Sequence, residues 1–468
     1  MKPVRLILLT ALSLAGCAPV GPDYKRIDVE TPSHFKESGV WKYARPADHL
    51  PRGSWWTVFG DSTLNRLESQ AAADNPNLRA ALLRVEQARL VARGSRVGLL
   101  PSVSIDPSAT RTGDADNLKR SNNTTTNFGG TRNTFSLPLD ASYEIDFWGK
   151  VRRTIEAAKA DADAAAALAE TARLTLQADM AQNYFTLRSV QAEIDLLEAS
   201  VKLREKGLGL VRNRFLGGAT SELDVSRAET ELAGTQSELA GLQKRRAELV
   251  NAIAVLAGRP ASSFDLKVKP LDGAPPGVPS GVPADLLQRR PDIAEAERRM
   301  AAANARIGVA KAAFYPSIRL LGSGSMESSQ TKNLFEKGSR AWSLGGVINF
   351  PVFEQLVNRT VYAGKKLQYE ETAANYQSTV LTAFQEVENG LSGLRLLAVQ
   401  AAAQERAVAA SDKAARLSSD RFEAGLVSYL EVVDADRTRL QSMQLARQIT
   451  GQRYLTAVGL IKALGGGW

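Results

Sequence analysis

Hydrophobic and polar residues alternate strictly in the stretch TFSLPLDASYEIDFW, residues 134–148. The apolar set is Phe135, Leu137, Leu139, Ala141, Tyr143, Ile145 and Phe147. A period of two predicts an extended strand with one apolar and one polar face. The same alternation recurs elsewhere, and we expect two hairpins of two-faced strands, at residues 101–148 and 316–352.

Most of the remaining chain carries a helical pattern. A helix is expected over about 62–99, with an interruption at Asn75-Pro76. Another is expected from Lys150 to Leu216, which at 1.5 Å per residue would be about 100 Å long. Its second part holds a heptad seam made of Leu187, Val190, Ile194, Leu197, Val201, Leu208, Val211 and Phe215. Such a seam predicts coiled-coil packing, interrupted once at Arg204.

Two segments of the chain match each other. RFLGGATSELDVSRAETEL, beginning at Arg214, aligns with RFEAGLVSYLEVVDADRTRL, beginning at Arg421. The paired positions at constant spacing are Phe215 and Phe422, Gly218 and Gly425, Ser221 and Ser428, and Leu223 and Leu430. In each case a helix ends in glycine, and a serine begins the next helix. The pattern predicts an internal duplication in which each repeat has a helix, a hairpin, a very long helix, a tip and a further helix.

The N-terminus resembles a bacterial lipoprotein signal. Lys2 and Arg5 precede a short apolar core, and LAGC ends at Cys17, which we expect to be acylated. A plain secretory signal is the alternative. The predicted organisation is a signal peptide (1–16), a lipidated arm (17–60), a first repeat (61–258), an equatorial connector (259–290) and a second repeat (291–468) with its tip at 422–428.

Composition excludes several function classes. With 44% hydrophobic and 23% charged residues the chain is globular in balance, and its net charge of +9 is spread out. Solvated helix faces explain that charge better than a nucleic-acid partner does. Cys17 is the only cysteine and there are two histidines, so a disulfide framework is excluded and a Cys/His metal site is disfavoured. No nucleophile elbow, phosphate loop or metal-ligand spacing occurs, so neither an enzyme nor a cofactor is expected.

The two-faced strands could span a membrane only as part of a closed barrel. Four strands cannot close a barrel, since the smallest single-chain barrels use about eight. If the strands span a bilayer, several chains must contribute them, and three copies would give about twelve strands. Lipid would then contact Phe135, Leu137, Leu139, Tyr143, Ile145 and Phe147. The polar side, with Asp140, Glu144 and Asp146, would face a watery lumen. The alternative is a soluble β-layer packed on helices.

The chain resembles the TolC-like outer-membrane efflux family, in the lipidated branch that serves multidrug and metal efflux pumps. The matching segments are LAGCAPVGPDY, WWTVFGDSTLNRL, SYEIDFWGKVRR, VPADLLQRRPDIAEAERRMAAANARIGVAKAAFYPSI and RFEAGLVSYLEVVDADRTRL. The resemblance implies an α+β membrane protein: a homotrimer with a twelve-stranded transmembrane β-barrel, four strands per chain, continued by a long periplasmic α-helical barrel. It implies an outer-membrane location, lipid-anchored through Cys17.

The resemblance also implies a function. Small toxic substrates such as drugs, dyes or metal ions would be conducted passively outward from an inner-membrane pump and a periplasmic adaptor protein, without a cofactor. The alternatives are a type I secretion exit duct and a structural coiled-coil envelope lipoprotein. The latter would explain the long helices and Cys17 but not two spanning hairpins.

The helix tips are the candidate site. By resemblance the adaptor-facing residues are Phe215, Gly218, Ser221, Leu223, Phe422, Gly425, Ser428 and Leu430. The glycines and serines also have a plain role in turns and caps. By resemblance Glu431 and Asp434 line a periplasmic gate, whereas the spacing Ser428-x-x-Glu431 by itself is typical of a capping box. We favour capping for Glu431 and a ring of carboxylates for Asp434.

Overall fold

The computed structural model describes residues 19–28, 35–36, 54–113, 131–278 and 289–466. Within them the helices are α1 (Ser62–Asp74), α2 (Pro76–Gly94), α3 (Lys150–Leu216), α4 (Glu222–Leu256), α5 (Pro291–Ala312), α6 (Gln355–Glu423) and α7 (Tyr429–Ala463). The strands are β1 (Ser102–Ile105), β2 (Ser108–Gly113), β3 (Thr131–Ile145), β4 (Ser317–Ser328) and β5 (Arg340–Asn349). The predicted signal peptide and Cys17 lie outside the described residues.

Helix α3 begins and ends at the residues that the sequence predicts. Its heptad seam is buried, with Leu187 and Leu197 fully covered and Val211 only 1% exposed. The seam opens at the end of the helix, where Phe215 is 40% exposed. None of the described helices combines the length and hydropathy that a membrane span requires.

The interruption predicted at Asn75-Pro76 is confirmed. α1 ends at Asp74, and the Asn75 side chain caps α2 by accepting the backbone N–H groups of Asn77 at 2.9 Å and Leu78 at 3.0 Å. The Asn75 amide also donates to the Leu256 carbonyl oxygen at 2.9 Å. One side chain therefore begins a helix and joins it to the end of α4.

Spatial clustering divides the chain into two compact units. The first contains residues 1–27, 86–164 and 296–375, and the second contains 28–85, 165–295 and 376–468. Each unit draws on both predicted repeats, so the compact units do not coincide with the sequence repeats.

An aromatic cluster forms part of the core of the second unit. Trp55 and Trp56 are each 7% exposed, and the Trp55 indole donates to Gln177 at 3.1 Å. Phe59 packs on Phe185 with ring centroids 4.8 Å apart. These aromatic residues therefore anchor the segment around Trp55 in the core of the second unit.

The first unit contains an antiparallel sheet. The strand order is β1-β3-β4-β5, and β2 also pairs with β3. The first strand of the hairpin predicted at residues 101–148 is divided into β1 and β2 by Asp106-Pro107. Pro107 has no N–H to donate to a ladder. Both pieces keep one register on β3, since Ile105 lies opposite Leu139 and Ser108 lies opposite Ser136.

The register collects the apolar positions on one face of the sheet. Directly opposed residues of an antiparallel pair point to the same side. Leu137 lies opposite Met326, Tyr143 opposite Leu320, Gly322 opposite Leu344, and Gly324 opposite Trp342. The apolar parities predicted for the separate strands therefore form one surface. This surface is uncovered in a single chain, where Trp342 is 83% and Leu344 is 82% exposed.

The predicted strand is too long at its C-terminal end. β3 ends at Ile145, so Phe147 is not a strand residue and instead packs edge-on against Trp148. The physical reason is Asp146, whose carboxylate accepts the backbone N–H groups of Val151 at 2.9 Å and Arg152 at 3.0 Å. Asp146 therefore caps the first turn of α3 rather than facing a lumen.

Residues 19–23 pack within the first unit. Val20 donates its backbone N–H to the Trp148 carbonyl oxygen at 3.0 Å, and Asp23 pairs with Arg153 at 2.7 Å. Close approach requires Gly308, where a Cβ would meet the Val20 carbonyl oxygen at 2.9 Å. Residues 19–23 thus lie beside the start of α3 and against α5.

A carboxyl group is buried in the second unit without a partner. Glu68 on α1 is 0% exposed, and neither oxygen of its side chain has a hydrogen-bond partner in the described structure. Burial raises the pKa of Glu68 to about 9, so the side chain is neutral at pH 7. The folded state therefore retains a proton that the unfolded state has lost.

We expect Glu68→Gln to reduce the pH dependence of stability. Between pH 4.5 and about 9 the folded chain binds one more proton than the unfolded chain, so wild-type stability falls as pH rises. The slope is at most ~1.4 kcal/mol per pH unit per chain. Thermal unfolding of detergent-solubilised protein at pH 5.5 and 8.5 measures it. Glu86→Gln, on the exposed side of α2, is the control. Equal slopes for wild type and Glu68→Gln would contradict the burial argument.

Candidate functional site at the helix tips

The two predicted tips have the same backbone turn. Gly218 and Gly425 adopt positive φ values of 74° and 72°. At the first tip Gly218 donates to the Phe215 carbonyl oxygen at 2.9 Å and Ala219 to that of Arg214 at 2.8 Å. This is the Schellman hydrogen-bond pattern, which needs a left-handed residue and favours glycine.

The second tip repeats this pattern residue for residue. Gly425 donates to the Phe422 carbonyl oxygen and Leu426 to that of Arg421, both at 2.9 Å. A Cβ at Gly218 or Gly425 would meet no heavy atom within 4 Å. Both glycines are therefore required by the backbone and also leave the surface of the turn open.

The helices after the two tips begin differently. Asp224 accepts hydrogen bonds from the Thr220 hydroxyl at 2.7 Å and the Ser221 hydroxyl at 3.0 Å, and the first of these chiefly lowers the pKa of Asp224. Ser221 and Asp224 thus form a capping box, which confirms that a serine begins this helix. At the second tip Ser428 makes no side-chain cap hydrogen bond, so the capping role favoured for Glu431 is wrong.

The predicted gate residues are uncovered in a single chain. Glu431 and Asp434 are both exposed and lie three residues apart on α7. In the described part of the chain their carboxylates take part in no hydrogen bond or ion pair. The Asp434 backbone carbonyl accepts from Thr438 in the ordinary helical way. Two unpaired carboxylates close to the second tip therefore remain available to solvent or to another chain.

The tips carry apolar surface. Four predicted or neighbouring tip side chains are exposed, namely Leu223 at 58%, Leu430 at 41%, Phe215 at 40% and Leu426 at 70%. Phe422 differs, since it is only 8% exposed. The apolar rim is consistent with a docking surface, whereas Phe422 serves packing within the chain.

Arg214 covers Phe422. Its guanidinium carbon lies 4.4 Å from the centroid of the Phe422 ring. The same group donates to the carbonyl oxygens of Phe422 at 3.2 Å and Glu423 at 3.3 Å. The first tip thus holds the last turn of α6 through both a cation–π contact and two hydrogen bonds.

A second polar contact lies farther along the helices. Arg204 pairs with Glu231 of α4 at 3.0 Å and with Asp436 of α7 at 3.2 Å. The side chains of Arg204, Glu231 and Asp436 are 11%, 12% and 19% exposed. Arg437 also pairs with Glu231. Removing one partner of a buried ion pair leaves the other charge buried and costs about 3–5 kcal/mol of stability. The network therefore holds α3, α4 and α7 at a fixed spacing near the tips.

Sequence reasoning missed this network. Its only signal was Arg204, which interrupts the apolar seam of α3. A charged residue at a seam position requires a partner from another helix, but periodicity does not say which helix. A groove of about 380 Å³ beside the network is lined in part by Arg204, Asp412, Tyr429 and Arg439. Among the described residues, no group of acidic, histidine or cysteine side chains is arranged to hold a metal ion.

Comparisons with known proteins agree on one family. The family model described as outer membrane efflux protein matches residues 67–259 and 282–466. The chain is 32% identical over 470 residues to the probable efflux pump outer membrane protein TtgC of Pseudomonas putida, covering 100% of this chain and 96% of that protein. It is 30% identical over 472 residues to the cation efflux system protein CusC of Escherichia coli, with 100% of both covered.

Solved structures agree as well. The outer-membrane channel OprN superimposes with a TM-score of 0.87 at 29% identity, covering 96% of this chain and 99% of that one. A CusC structure gives 0.84 at 29% identity, covering 96% of this chain and 100% of that one. These findings confirm the resemblance that the sequence motifs carry. The chain belongs to the outer membrane efflux protein family.

Proposed function

We propose that the protein is the outer-membrane exit duct of a tripartite efflux system, which passively conducts small toxic substrates outward from an inner-membrane pump and a periplasmic adaptor. Family membership supports transport rather than catalysis. The observation that carries the proposal is the sheet, which joins the alternating apolar positions of neighbouring strands on one uncovered face. Relatives carry the names of antibiotic, toluene and cation efflux proteins, and we assign small toxic substrates of this kind to the present chain.

The sheet supports a barrel shared between chains. Within the described residues its edges are formed by β1 with β2 on one side and by β5 on the other. Open edges are not stable in lipid, because no water is present to satisfy their backbone N–H and C=O groups. Three copies joined edge to edge would close a barrel of about twelve strands, within the size range of transmembrane barrels. Lipid would contact the face that contains Leu137, and the lumen would contact the face that contains Asp140.

A lipid anchor at Cys17 completes the membrane attachment. The LAGC sequence carries this part of the proposal. Pro19 is the first residue that the structure describes, and Val20 is hydrogen-bonded to Trp148, just after the end of β3. Attachment there agrees with an anchor close to the membrane-spanning sheet. The mass of the N-terminal peptide of the mature protein measures the acylation.

The helix tips suit a protein partner. Their exposed leucine and phenylalanine side chains surround turns whose glycines leave the surface open. We assign adaptor docking to these tips. We assign the gate to Asp434 and Glu431, because exposed carboxylates repeated around a constriction would form an electrostatic barrier.

The face assignment predicts that, of two neighbouring substitutions, only the one on the apolar face prevents assembly. Leu137→Lys places a charge on the apolar face near the middle of β3, at a cost of ~2–4 kcal/mol at the bilayer midplane. Ser136→Lys is the matched control, since it adds the same charge on the polar face, opposite Glu327. We expect loss of assembled protein from the outer-membrane fraction for Leu137→Lys only. Equal assembly of both variants would contradict a lipid-facing Leu137.

The gate assignment predicts a change in resting permeability. Asp434→Ala should raise the conductance of the purified channel in planar bilayers several-fold, because it removes the carboxylate barrier. Entry of a large antibiotic into cells should rise in parallel. Glu222→Ala, an exposed carboxylate in the first turn of α4, is the control. If the Asp434→Ala channel conducts like wild type, Asp434 does not belong to the gate.

The docking assignment predicts loss of adaptor contact without loss of assembly. A photo-reactive residue at Leu223 should capture a periplasmic adaptor in membranes of the native host. Gly425→Trp should abolish capture, because it places a large side chain on the open turn. Gly273→Trp is the control, since Gly273 also has a positive φ (76°) and open surroundings but lies away from the tips. Capture of envelope-structural proteins alone would favour the structural lipoprotein.

A further inference from the structure

The two tips use equivalent residues unequally. Arg214-Phe215 and Arg421-Phe422 occupy matching positions in the two similar segments. Phe422 is 8% exposed beneath Arg214, whereas Phe215 is 40% exposed. Arg421 is exposed, and its guanidinium has no hydrogen bond, ion pair or ring contact in the described part of the chain. One arginine and one phenylalanine are therefore used within the chain, and their counterparts are not.

Arg421 and Phe215 could make the same contact that Arg214 makes with Phe422. Arg214 binds the ring of Phe422 and the carbonyl oxygens of Phe422 and Glu423. The first tip offers the corresponding ring of Phe215 and the carbonyl oxygens of Phe215 and Leu216. Its turn has the same hydrogen bonds as the second tip, so these carbonyl groups have the same local backbone setting. The first tip is thus a second, unoccupied acceptor for an arginine.

Arg421 of one copy of the chain can reach the Phe215 tip of another copy. In a closed ring of identical subunits, first and second tips alternate, and each second tip is followed by the first tip of the next subunit. We propose that Arg421 of one subunit binds the Phe215 tip of the next, with its guanidinium on the ring and its N–H groups donating to the carbonyl oxygens of Phe215 and Leu216. The contact rests on the trimer in the proposed function and adds the residues that hold its subunits together at the tips.

The ion network cannot take this role. The position that corresponds to Arg204 in the second segment is Ser411, which is buried and has no charge. The pairs that Arg204 makes with Glu231 and Asp436 therefore have no equivalent between subunits. The arginine–phenylalanine contact differs, because each of the two similar segments contains both an arginine and a phenylalanine at the tip. The same contact can therefore form within the chain and between subunits.

Cross-linking of two matched cysteine pairs tests the proposal. Phe215→Cys with Arg421→Cys marks the proposed contact, and Arg214→Cys with Phe422→Cys marks the equivalent contact within the chain. Outer membranes are treated with a short bifunctional thiol reagent, boiled in detergent and separated by size. We expect covalent dimers and trimers from the first pair, and an internally linked monomer from the second. Single-cysteine variants show the background of linking that does not need the pair.

Native mass measurement separates the outcomes. If unboiled protein is trimeric and the second pair links internally, but the first pair gives no ladder, the inference is overturned while the proposed channel stands. A ladder from both pairs would also overturn it, because the link would not be specific. Monomeric unboiled protein would overturn the trimer itself, and with it the proposed function.

A second variant covers the case in which the cysteine pairs do not assemble. Arg421→Gln should lower the temperature at which the trimer separates in detergent, because it removes the charge that lies on the neighbouring ring. Arg406→Gln, at another exposed arginine of α6, is the matched control. Equal separation temperatures for Arg421→Gln, Arg406→Gln and wild type would overturn the proposed contact.

Discussion

Backbone groups at the edges of a sheet need partners wherever water is absent, and this requirement governs the first compact unit. The register of β3 on β4 and of β4 on β5 places apolar residues such as Leu137, Leu320 and Trp342 on one side. A face of this kind favours lipid, but lipid cannot satisfy the unpaired edges. In the proposed barrel, the unpaired edges of one chain's sheet would pair with strands from further copies of the chain.

The second unit depends on how charge is placed among long helices that pack through apolar seams. The α3 seam is closed along most of its length, and Arg204 enters it only because Glu231 and Asp436 come from two other helices. Arg214 acts in the same way at the tips, where it covers Phe422. Charged groups that are partly buried and paired define one arrangement of the helices, whereas apolar packing alone tolerates sliding. The tips thus combine a fixed internal geometry with an exposed apolar rim.

Two local predictions were wrong for related reasons. Alternation extended the strand through Asp146 and Phe147, but the Asp146 carboxylate is used to begin α3. The spacing from Ser428 to Glu431 suggested a cap, but the serine makes no such side-chain contact, while the matching Ser221 interacts with Asp224. In both cases a short polar side chain had two uses, and pattern alone could not choose between them.

The sequence by itself determined the elements and their faces. Periodicity located α3, the break at Asn75 and the two-faced strands, because each depends on local spacing and on residues such as proline and glycine. The tertiary structure decided which side chains meet. The partners of Arg204, the covering of Phe422 by Arg214 and the burial of Glu68 involve residues far apart in the chain. Contacts of this kind arise from packing in three dimensions, and periodicity along one segment carries no information about them.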